Sequence, residues 1–169
     1  MTAAPDLPEP AIRERLTARV LLLDPTDRIL LMKGRLPSDP AAPGAWFTVG
    51  GGVEPGESVL QAAAREIIEE TGLTDASLGP VVWRGEQILR DRKQRPVRFL
   101  EHYVLARSVG GELSRAGWQA LEREFVDDMR WWTREDLAAC PEPVFPRGLA
   151  GRLVDLIAGR IPPTPLILP

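Results

Sequence analysis

Apolar positions fall into two rhythms along this chain. Residues 17–23 (TARVLLL) and 28–33 (RILLMK) are nearly unbroken apolar runs of strand length, joined by Asp24-Pro25-Thr26-Asp27, whose residue types favour a turn, so they predict a hairpin. Residues 46–49 read as a short strand leading into a glycine turn, and residues 81–89 and 97–107 as two further strands. The charged run 90–95 between that last pair predicts a solvated hairpin tip, and residues 129–132 a final strand. A helical rhythm occupies residues 59–71. Two more helices are predicted at 133–139, opened by Thr133 and Asp136, and at 146–158, closed by Gly159. Strands on both sides of one interior helix, with helices late in the chain, predict an α+β sandwich around a mixed β-sheet. The domain spans residues 11–160, after an irregular, proline-rich arm at 1–10 and before a proline-rich tail at 161–169. The tail is expected to pack rather than hang loose.

The helix at 59–71 carries the densest chemistry. Ser58 suits the N-cap, with Gln61 completing a capping box, and Gly72 suits the left-handed position past the C-terminus. Ala62, Ala63, Ile67 and Ile68 offer a narrow packing face. At about 100° per residue, Glu69 and Glu70 lie one turn beyond Glu66 and within roughly 60° of it, so three carboxylates share one patch. Fully solvated, like charges at this spacing cost only about 0.2–0.5 kcal/mol per pair. Partly buried, at about 6 Å and an effective dielectric near 20, each pair costs roughly 3 kcal/mol, which a cation with oxygen ligands reverses. Energy alone does not choose between a solvated acidic face and a metal site. Upstream, Gly50, Gly51, Gly52 and Gly56 permit close approach of backbone to a ligand, and Arg65 is placed to brace one carboxylate.

These residues carry a resemblance. The stretch 51–73, GGVEPGESVLQAAAREIIEETGL, resembles the Nudix box, G-x5-E-x7-R-E-U-x-E-E-x-G-U with U a bulky aliphatic residue. Gly51, Glu57, Arg65, Glu66, Ile67, Glu69, Glu70, Gly72 and Leu73 fill every specified position. The resemblance implies a Nudix-like α/β/α sandwich. It also implies hydrolysis of a nucleoside diphosphate linked to another moiety, assisted by Mg²⁺, with Mn²⁺ as a substitute. By the same resemblance Glu66, Glu69 and Glu70 bind metal together with the Gly50 carbonyl, Arg65 orients Glu66, and Glu57 supports the loop or joins the metal. Glu66, Glu70 and Arg65 are then the catalytic set, and Glu66 or a glutamate from a distant loop serves as general base. Similar sequences usually carry proline just before the box glycines. Val49 stands there instead, which implies a freer turn. The alternative within the family is a domain that senses a nucleotide without cleaving it.

Other candidates are less pointed. An extra carboxylate could come from Glu122, Glu124, Asp127 or Asp128. Glu101 shares a strand face with Val97, Phe99, Tyr103 and Leu105, so it is either an acid aimed at a cleft or a strand-end residue, while His102 faces the other way as a structural histidine. Trp46, Phe47 and Trp83 could stack on a base, though a small sheet protein also buries such rings. Arg35 and Arg84 could meet substrate. The 169 residues suit one domain, and a net charge of −3 offers no broad cationic surface for long nucleic acid, leaving a nucleotide-sized partner. The single Cys140 excludes an intrachain disulfide framework. No apolar run reaches 18 residues and no signal segment is visible, so a cytoplasmic protein off the membrane is expected, as a monomer or homodimer.

Overall fold

Asp24 shows how the first hairpin forms. Its carboxylate accepts from the amides of Thr26 and Arg28, both at 2.9 Å, and Asp27 takes a positive φ of 61°, so a side chain does the work of backbone at the turn. The turn joins β1 (Arg13–Leu23) to β2 (Ile29–Gly34). The coordinates are a computed structural model describing residues 12–36 and 39–169. The expected arm at 1–10, and residues 37 and 38 of the following loop, lie outside the described residues. Strand β1 begins at Arg13 rather than at residue 17, because it pairs in parallel with a long later strand from Arg13↔Val97 to Leu23↔Arg107. Pairing to a neighbour sustains strand backbone where the local sequence is polar.

The glycines after residue 49 prove to be strand, not turn. β3 (Ala45–Gly52) changes partner midway: Ala45 to Thr48 pair with β2, and Val49 to Gly52 pair with β1. Gly50, at the change, has a φ of +139°, which a side chain would oppose. Val49 is fully buried and sits opposite Val20, so the expected freer turn is replaced by a paired core residue. The real turn follows at residues 53–58 and leads into α1 (Val59–Thr71).

Beyond α1 come β4 (Ser77–Arg90) and β5 (Pro96–Arg107), an antiparallel hairpin whose tip is closed by Asp91 and Gln94. Then follow α2 (Ala120–Phe125), β6 (Val126–Trp132), α3 (Arg134–Ala138), β7 (Val144–Phe145), α4 (Leu149–Ile157) and β8 (Leu166–Ile167). Helix α2 was not expected. Nor was β6 the last strand: β7 pairs with β3, and β8 pairs in parallel with β4, carrying the tail back to the sheet edge where Leu168 is buried. Helix α4 starts three residues later than predicted, after Gly148 in a left-handed conformation. Cys140 is free and half-buried.

The sheet order is β6-β2-β3-β1-β5-β4-β8, mixed in direction, with helices on both faces, which is the α+β sandwich expected. Alternation along β1 divides the core. Leu21 and Leu23 join Trp83, Tyr103 and the α3–α4 residues Leu137, Leu149, Leu153 and Leu156 on one side. Ala18, Val20 and Leu22 join Ala62, Ala63 and Ile67 of α1 on the other. Among the described residues no helix is long and apolar enough to cross a membrane.

Candidate active site

Helix α1 is positioned by its ends and by small side chains. The Ser58–Gln61 capping box closes reciprocally, with Gln61 N–H donating to Ser58 Oγ (3.2 Å) and Ser58 N–H donating to Gln61 Oε1 (2.8 Å). Gly72 ends the helix in the left-handed region at φ 74°. The fully buried Ala62 and Ala63 let the axis lie close to β3 and β1. That closeness turns Glu66 and Glu70 onto the glycine stretch. A methyl group at Gly51 would stand 2.3 Å from Glu66 Oε1, so only glycine leaves the carboxylate its place. Gly50 N–H donates to Glu70 Oε2 at 2.8 Å.

Arg65 braces three carboxylates rather than one. Its Nε and Nη2 donate to the two oxygens of Glu57 (2.9 and 3.0 Å), its Nη1 to Glu66 Oε1 (2.7 Å) and Glu69 Oε2 (3.1 Å), and its Nη2 also to the Gly52 carbonyl (2.9 Å). Hydrogen bonding to Glu57 heads the causes that raise its pKa, so it stays a cation. Glu57, with both oxygens on Arg65 and one also on Glu54 N–H, ties the 53–58 turn to the helix, and the Arg65 contact holds its carboxyl below the usual value. On the inner side the balance reverses. Burial raises the Glu66 pKa against the pull of Arg65. Glu70 is 8% exposed, and burial, followed by repulsion from Glu66, pushes it up to about 8.

Of the four further acids, one on the unexpected helix reaches this cluster. Glu122 on α2 adds its field to both Glu66 and Glu70, and its Oε2 is buried with no hydrogen-bond partner among the described residues. Glu124, Asp127 and Asp128 do not join it: they pair with Arg92 (3.3 Å), Arg35 (3.3 Å) and Arg115 (3.8 Å). Trp118, overlooked in the sequence, anchors this segment by donating from Nε1 to the Glu70 carbonyl at 2.7 Å. Gly117 beside it lets the segment close on α1, since a methyl group there would meet the Glu69 carbonyl at 2.5 Å, a contact no local sequence signal announces. Among the described residues no three His, Cys, Asp or Glu side chains are gathered closely enough to hold a metal ion. The donor chemistry nevertheless fits a divalent cation: Glu66, Glu69 and Glu70 offer hard carboxylate oxygens, and burial resists the ionisation of Glu66 and Glu70 until a cation compensates them.

The remaining candidates scatter. Trp46 is 2% exposed, donates to Glu142 at 2.6 Å, and packs edge-on against Trp132, so it offers no open ring to a base. Trp83 is likewise core, and Phe47 packs half-buried on the α1 side. Arg35 contacts the Pro40 carbonyl and Asp127 near α2, while Arg84 is exposed on β4 opposite His102. Glu101 is neither a free acid nor a strand end. It lies buried in the middle of β5, holding Arg19, Gln87 and Tyr103.

Comparison with known proteins agrees with this geometry. The NUDIX domain profile matches residues 13–149. The NAD-capped RNA hydrolase NudC of Stutzerimonas stutzeri (strain A1501) is 30% identical over 141 residues, 83% of this chain, which thus spans 44% of that relative's length. The MutT protein from Methanosarcina mazei Go1 shares the fold with a TM-score of 0.60 at 18% identity, over 89% of this chain and 98% of that one. An ADP-ribose pyrophosphatase from Streptococcus suis does so with a TM-score of 0.57 at 22% identity, over 90% and 97%. A box filled at every position, folded so that its acids crowd its glycines, and a profile match across most of the chain lead to one assignment: this protein belongs to the Nudix hydrolase family.

Proposed function

We propose that this enzyme hydrolyses the pyrophosphate link of a nucleoside diphosphate joined to another moiety, using a divalent metal, Mg²⁺ or Mn²⁺ in its place. Glu66, Glu69 and Glu70 with the Gly50 carbonyl are the ligands. The observation that carries this reading is the crowding of buried carboxylate at the glycines: Glu66 raises the cost of ionising Glu70, Glu122 adds to the cost of both, and among the described residues Arg65 is the cation that contacts Glu66. When bound, the cation neutralises diphosphate oxygens and lowers the pKa of a coordinated water.

The chain's own residues do the rest. Arg65 holds Glu66 and Glu69 in fixed positions and, through Glu57, locks the turn that enters the helix. The amide of Gly50 fixes Glu70. We assign Glu122, whose Oε2 has no hydrogen-bond partner among the described residues, as the acceptor of the proton from the attacking water. The relatives named above act, by their names, on NAD-capped RNA and ADP-ribose, so compounds with an adenosine diphosphate core head the substrates to try.

The test is a product-resolved panel of nucleoside diphosphate derivatives, including NAD and ADP-ribose, with Mg²⁺, with Mn²⁺ and with chelator. The expected result is two phosphate-bearing products from at least one substrate, only with metal, and a rate at least about a hundredfold lower in Glu70→Gln. No turnover across the panel by well-folded protein would move the assignment to a nucleotide-sensing domain.

A further inference from the structure

Across the sheet from α1, the same glycines are flanked by arginine. Arg19 stands opposite Gly50 in the β1–β3 register, on the side where Leu21 and Leu23 meet α3 and α4. Arg15, exposed and four residues earlier, fills the space above Gly52, where a methyl group would meet its Nη2 at 2.5 Å.

Arg19 is mounted with care. Glu101, 7% exposed, accepts from Arg19 Nε (3.0 Å) and Gln87 Nε2 (2.8 Å) on Oε1 and from the Tyr103 hydroxyl (2.8 Å) on Oε2. Burial raises the Tyr103 pKa, so that hydroxyl remains a donor. A pair serving stability alone gains most by closing two parallel bonds between guanidinium and carboxylate. This contact is a single bond through Nε. Among the described residues Nη1 and Nη2 have no hydrogen-bond partner, and the side chain is 21% exposed. The arrangement costs a buried charge and leaves the two Nη donors of a partly exposed guanidinium free beside the box glycines. Its positive field reaches Glu70.

We propose that Arg19 grips phosphate oxygens of the nucleotide substrate through Nη1 and Nη2 on the face opposite α1, and that Glu101, Gln87 and Tyr103 are positioning residues that aim it. The inference rests on the hydrolase reading for its substrate and deepens it: the carboxylates approach the diphosphate from one face of the glycine strand, and Arg19 reaches it from the other.

The test uses whichever panel nucleotide turns over fastest. Arg19→Gln raises KM about ten- to a hundredfold with a smaller change in kcat, and Arg19→Lys recovers part of the loss because it restores charge without the fork. Glu101→Gln raises KM in the same direction by less. Because Arg19→Gln strands a buried carboxylate, the double variant Arg19→Gln/Glu101→Gln is measured too, and it should melt like wild type yet keep the high KM. Calorimetric titration with the matching nucleoside 5′-monophosphate and with the bare nucleoside should show that Arg19→Gln weakens the first and spares the second. An unchanged KM in an active enzyme, or equal weakening of both ligands, would overturn the proposal. If wild type turns over nothing in the panel, the hydrolase reading fails instead, and the monophosphate titration still decides Arg19.

Discussion

Replacing Glu70 with glutamine should stabilise the metal-free protein, and only at high pH. The side chain is buried against Glu66, and its pKa is pushed up from 4.5 to about 8. The fold therefore favours the protonated form. Such a group contributes stability that is complete below the unfolded value and is lost as pH rises through the folded one. At about 1.4 kcal/mol per unit, the full loss approaches 5 kcal/mol, of which about 3 kcal/mol falls between roughly pH 5.5 and 8.5. Glutamine has almost the same shape, can still accept from Gly50 N–H, and never ionises. For a chain of this size, 1 kcal/mol moves Tm by about 2–4 °C. Thermal melts in chelator should therefore show Glu70→Gln gaining about 6–12 °C on wild type at the higher pH relative to the lower. Mg²⁺ should close that gap by stabilising wild type more than the variant, since an ion that binds the folded state adds stability by mass action. Parallel Tm-against-pH curves for the two proteins would refute the reasoning, because they would mean that Glu70 ionises in the fold at no cost.

Three further outcomes follow from contacts already described. Glu122→Gln should lower kcat about a hundredfold or more with little change in KM, as steady-state kinetics will show, because it removes an acceptor whose oxygen has no hydrogen-bond partner among the described residues. Gly51→Ala should leave the far-ultraviolet circular dichroism intact while cutting kcat at least about tenfold, since its methyl group displaces Glu66 and not the sheet. Leu168→Ala should destabilise the protein by about 2–3 kcal/mol in urea titration, a loss that a tail merely lying on the surface would not produce.

The box helix was legible because every determinant of it is local. Ser58, Gln61 and Gly72 close its ends through bonds spanning a few residues, and the spacing of Glu66, Glu69 and Glu70 sets their angles before any tertiary contact forms. The β1–β2 hairpin was legible for the same reason, since Asp24 bonds only to neighbours along the chain. What the sequence by itself determined was thus the acidic helix, its caps and the chemistry of its donors. Tertiary structure decided which of those acids are buried, that the glycines form a strand switching from β2 to β1, and that β1 extends back to Arg13 along β5. It also decided that Glu122 acts on Glu66 and Glu70 while Glu124, Asp127 and Asp128 pair with arginines, and that Glu101 holds Arg19 across 82 residues of chain. Burial and long-range pairing depend on which surfaces meet after the chain folds back on itself, and neither periodicity nor spacing encodes that meeting.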